Sequence, residues 1–152
     1  MKNVKAVDVL NTLITINNDR IEGYETASKE TDETDLKTLF SQFIETSRRC
    51  KQELVKEVNT LGGEVATGTK VSGKFFRAWM DVKSALTGKD RKTILSSCEY
   101  GEEQARDTYE KVLENDSEYL SSKQQTMIIQ QKSMLIVDQN HLKALKNSLV
   151  KG

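Results

Sequence analysis

Apolar residues return at steps of three, four or seven near the start of the chain, at Val7, Leu10, Ile14, Ile21 and Tyr24. On a 3.6-residue helix that spacing stays on one side, so a helix with one packing seam is predicted from about Val4 to Ser28. A short acidic turn rich in capping residues follows at Thr31 to Asp35. The stripe then resumes at Leu36, Phe40, Phe43, Cys50, Leu54 and Leu61, which predicts a second helix running back along the first.

Leu61-Gly62-Gly63 ends that helix, and the next strong helical pattern starts only near Asp90, nearly thirty residues later. The interval reads as a loop, Gly63 to Val71, followed by a short helix capped by Ser72 with Phe75, Phe76, Trp79, Met80 and Leu86 on one side. A bundle helix of this length spans about 40 Å, and such an interval can travel back along it. Helices two and three are therefore expected to be parallel. The third helix carries Ile94, Cys98, Ala105, Tyr109 and Val112. After a break near Asn115 to Ser117, the fourth carries Leu120, Met127, Met134, Leu135, Leu142, Leu145 and Leu149. The order becomes up, down, down, up.

Composition agrees with an all-helical chain. The 152 residues, a common length for one domain, contain no proline. Lys plus Arg and Asp plus Glu both number 23, so no net field exists to hold nucleic acid or an anionic membrane. No segment has the length and hydropathy of a membrane span, and Met1 to Leu10 lacks the apolar core of a signal peptide, which points to the cytoplasm. Cys50 and Cys98 form no metal-binding motif, and counting residues along the helices sets them about 12 Å apart, so both are expected as reduced core residues. One histidine on the last helix leaves no way to draw a Ser-His-Asp arrangement, and no phosphate-binding glycine loop is present.

The informative positions are the polar interruptions of the seams: Asn17, Ser47, Glu102, Gln131, Asp138 and His141. At about 1.5 Å per residue, the expected topology brings Glu22, Arg48, Glu99, Glu102, Asp138 and His141 within two or three turns of one another. Asp138 and His141 are three apart on one helix, the offset of the Glu-x-x-His pair in di-iron carboxylate bundles. Glu22, Glu99, Glu102, Asp138 and His141 are thus the candidate ligands for iron or manganese. On helix two, Glu45-x-x-Arg48 stands where such a site needs Glu-x-x-His. That favours a hydrogen-bonded polar core in which Arg48 balances Glu99 or Glu102 and no cofactor is needed. Lys70 to Lys92 is the one basic stretch, and its interleaved aromatics Phe75, Phe76 and Trp79 read as seating the crossover on the bundle.

The run Ile16 to Tyr24, Leu61-Gly62-Gly63, the segment Gly73 to Leu86 and Cys98-Glu99-Tyr100-Gly101-Glu102-Glu103 resemble a bacterial family of about 150-residue proteins in the ferritin-like superfamily, labelled a domain of unknown function. The resemblance covers nearly the whole chain and implies a ferritin-like four-helix bundle in a bacterial cytosolic protein. It implies no activity. Three functions follow as expectations. First is a non-enzymatic bundle engaged in self-association or with a protein partner; second, an incomplete di-metal protein for iron handling or peroxide removal; last, a nucleic-acid module.

Overall fold

The computed structural model describes residues 2–67 and 91–151. The crossover helix expected after Ser72 and most of the basic stretch fall outside the described residues. Among the described residues there are four long helices, α1 (Lys2–Glu30), α2 (Thr34–Thr60), α3 (Arg91–Asn115) and α4 (Ser122–Lys151), with a 3-10 turn at Ser117–Tyr119 before α4.

The ends of these helices have local causes. At the end of α2, Gly62 adopts φ 74°, a left-handed conformation that glycine enters without a Cβ penalty. Its amide donates to the Asn59 carbonyl and that of Gly63 to Val58, both at 3.0 Å, the paired bonds of a Schellman stop. A Cβ on Gly63 would lie 2.5 Å from a Val7 methyl, so the second glycine lets the chain turn close against α1. Asn11 then clamps the outgoing strand of chain. Its amide nitrogen donates to the Glu64 carbonyl at 2.8 Å, and its oxygen accepts from the Ala66 amide at 2.9 Å. At the start of α4, Ser121 and Gln124 form a capping box: each side chain accepts from the other's backbone amide, at 3.1 and 3.0 Å.

Cross-helix pairs set the directions. Asn17 meets Tyr109 and Arg20 meets Glu102, so α1 and α3 are antiparallel. Gln42 meets Asp138 and Gln124 meets Glu57, so α2 and α4 are antiparallel as well. With short turns joining α1 to α2 and α3 to α4, the connectivity is up, down, down, up, and α2 runs parallel to α3 as expected. Arg91, opening α3, forms ion pairs with Glu33 and Asp35 at the opening of α2. The two parallel helices therefore begin at the same end of the bundle.

Between the helices lies a core that includes Leu10, Leu13, Phe40, Leu54, Leu135 and Leu142, all essentially inaccessible. Burial of each such side chain is worth about 1.5–3 kcal/mol, which is what closes two amphipathic hairpins on each other. Cys50 and Cys98 are buried and unpaired, as expected.

Candidate functional site

Midway along the bundle the apolar core gives way to a layer of polar side chains centred on Arg20, whose accessibility is 0%. Asn17, Arg20 and Tyr24 follow one another at three and four residues, so all three point inward from α1. The guanidinium Nη2 donates to Glu102 Oε1 on α3 at 2.8 Å, and Nη1 donates to Ser47 Oγ on α2. Nη2 also reaches Asp138 Oδ2 on α4 at 3.4 Å. One side chain thereby ties all four helices.

Aromatic rings close over this cation. The guanidinium carbon lies 5.7 Å from the Tyr24 ring centre and 5.9 Å from that of Phe43, within cation–π range. Tyr24 also donates its hydroxyl to Glu102 Oε1. Burial opposes the charge on Arg20, but the Glu102 carboxylate and then its other neighbours outweigh that, holding the guanidinium above its ordinary range. Burial, reinforced by the charge of Glu102, pushes the Tyr24 phenol well up and keeps it a hydrogen-bond donor.

A neutral layer adjoins the charged one. Asn17 donates to the Tyr109 hydroxyl and Tyr109 to Gln131 Oε1, both at 2.8 Å. Gln131 passes its own protons to the Cys50 carbonyl at 3.2 Å and to Glu53 at 3.1 Å. Burial raises the Tyr109 phenol well above its ordinary value and the Cys50 thiol to about 12, so neither ionises in ordinary conditions.

Of the five candidate ligands, the structure brings together two. Glu102 and Asp138 share Arg20, whereas Glu22 is exposed on α1 and Glu99 is paired with Lys146 at 2.9 Å. His141 is exposed, its Nδ1 2.8 Å from the Gln42 amide nitrogen, which also donates to Asp138 Oδ1 at 3.3 Å. A bundle-type metal centre needs carboxylates and imidazoles converging from several helices. Here the convergence point holds a guanidinium with its protons directed at both acids, so the residue set does not fit a di-metal centre. Among the described residues no three His, Cys, Asp or Glu side chains are grouped to hold an ion.

The expected partner of the core acids is corrected. Arg48 is exposed and pairs with Glu25 at 3.1 Å on the surface. It follows Ser47, which faces inward, and one residue on a helix turns the side chain by about 100°. Arg20 takes the inward role. Its signal lies in the seam: it sits three after Asn17 and four before Tyr24, in the stretch where the apolar spacing picks Ile21 as the packing residue. Ile21 is only partly buried.

The fold and this layer define a four-helix bundle with an ion-paired polar core. The chain belongs to the family described as Domain of unknown function (DUF2383), whose profile matches residues 5–115. That match takes in α1, α2 and α3, with Arg20, Ser47, Glu102 and Tyr109, and stops before α4, with Gln131 and Asp138. No curated protein matches the chain. Among the described residues no helix is long and apolar enough to cross a membrane.

Proposed function

We propose that the chain is a single-domain, non-enzymatic helical module of the cytoplasm, built like the ferritin-like bundles, which works by self-association or by binding a protein. The observation that carries this reading is Arg20: its guanidinium lies at the point where a bundle cofactor would meet Glu102 and Asp138. In this reading the buried group of Arg20, Glu102 and Asp138 selects one helix register among apolar alternatives, as a module that presents a surface requires.

A competing reading is an iron or manganese protein for iron handling or peroxide removal. Two carboxylates against one guanidinium leave an excess acid, and Glu102 Oε2 is buried with no hydrogen-bond partner among the described residues. Elemental analysis of protein purified without chelator, then loaded with iron in air, separates the two. The module reading expects less than stoichiometric metal and no change in thermal stability on loading. Stoichiometric iron, lost in Asp138→Asn and retained in Glu22→Gln, would overturn it.

A further inference from the structure

The outer face of α4 departs from the rest of the surface. Of the twelve exposed positions between Ser122 and Ser148 only Lys123 is charged, whereas α2 has fourteen exposed positions of which seven are charged. The helix does contain lysines, but Lys132 and Lys146 are drawn to the α3 side, paired with Glu110 at 3.4 Å and Glu99 at 2.9 Å. Apart from Lys123, what remains outward is uncharged and partly apolar: Ile129 is 53% exposed and Val137 51%.

This face also has a period. Thr126, Gln130, Ser133, Val137, Asn140 and Ala144 follow at alternating four and three residues, a second heptad seam on the side of α4 away from the core. Beside it, grooves of about 510 and 390 Å³ run between α2 and α4, where Met127 and Met134 lie on the α4 side. Across them, α2 presents Arg49, Glu53 and Lys56. An uncharged centre with a charged margin is the usual anatomy of a protein interface.

We propose that this face is the contact between two copies of the chain, α4 packed against α4 in antiparallel sense about a two-fold axis near Val137. The proposal rests on the module reading above and names its partner. A second copy supplies a matching uncharged face of the same length and period, whereas a charged partner would leave its charges unpaired on burial. Direction follows from the residues. Reversal about Val137 sets Gln130 against the small side chain of Ala144, and it carries the two copies of Lys123 to opposite ends of the contact. A parallel pair would set Lys123 against its own copy.

The size fits a weak pair. From Thr126 to Asn147 the seam is about 32 Å long, and a helix is about 10–12 Å wide, so the two α4 faces together cover about 700 Å². The α2 margins from Arg49 to Lys56 are about 11 Å long and bring the total to about 900 Å², the range of weak, concentration-dependent pairs.

Sedimentation equilibrium of the full chain tests the proposal. Wild type is expected as a concentration-dependent dimer, Val137→Glu as a monomer at least about tenfold weaker in association, with unchanged helicity and, at dilutions where wild type is also monomeric, an unchanged melting temperature. Val137→Cys is expected to form a disulfide-linked dimer under mild oxidation, and Glu45→Cys, on the charged surface of α2, to form none. A wild-type mass that stays monomeric up to about 1 mM, where association would be worth only about 4 kcal/mol, overturns the proposal. So does a dimer that Val137→Glu leaves intact. Neither outcome touches the module reading, which falls only on the iron measurement.

Discussion

The two faces of α4 reverse the usual placement of charge. Inward, Asp138 is buried against a fully buried arginine and Gln131 bridges a tyrosine to α2; outward, Ile129 and Val137 stand in solvent on a face with a single lysine. The difference teaches that polarity on this helix follows what each face must meet. An inward acid is tolerable because α1 supplies a guanidinium at the same height, and an outward valine costs little because an exposed apolar side chain is a common feature of protein surfaces.

The strongest way to break the comparison is to remove the cation alone. Arg20→Met should cost about 3–5 kcal/mol in urea unfolding, since Glu102 and Asp138 would remain buried without a counter-charge. Replacing all three, Arg20→Met with Glu102→Leu and Asp138→Leu, should return stability to within about 1 kcal/mol of wild type. If the triple variant is as unstable as the single one, the cost lies in packing around the guanidinium and not in charge.

Tyr109→Phe probes the neutral layer. It leaves Gln131 Oε1 without its donor and should cost about 1–3 kcal/mol, less than the arginine because no full charge is stranded.

Asp19 sharpens the contrast through pH. It is buried on α1, its Oδ2 has no hydrogen-bond partner among the described residues, and burial followed by the charge of Glu22 raises its pKa from 3.8 to about 7. Between those values the folded chain holds a proton that the unfolded chain has released, so this group lowers stability as pH rises from about 4 to 7 and adds nothing further above. Asp19→Asn should match wild type in melting temperature below pH 4 and exceed it at pH 8. Equal pH profiles for the two proteins would refute the assignment.

At the small end, Arg48→Ala should change stability by at most about 0.5 kcal/mol, as expected for a side chain 54% exposed in a surface ion pair. Arg20 and Arg48 carry the same charge on neighbouring helices, and the expected ratio of their effects is a direct measure of burial.

Much of the fold was legible in residue order. The seam at Val7, Leu10 and Tyr24, the stop at Gly62-Gly63 and the break near Asn115 to Ser117 each reflect a local rule, and the parallel placement of α2 and α3 followed from the length of the crossover. The site was legible in part. Asn17, Ser47, Glu102, Gln131 and Asp138 stood out because a polar residue on an apolar stripe is costly unless partnered.

Chain order alone determined the four helices, their directions and the presence of a polar layer, because these depend on periodicity, capping and chain length. Which polar groups meet was decided only in three dimensions. A rotation of about 100° separates Ser47 from Arg48, so sub-turn differences in how the helices face one another chose Arg20 over Arg48 and sent His141 outward to Gln42. The nearly uncharged outer face of α4 became visible in the same way, once Lys132 and Lys146 were seen to pair with acids of α3.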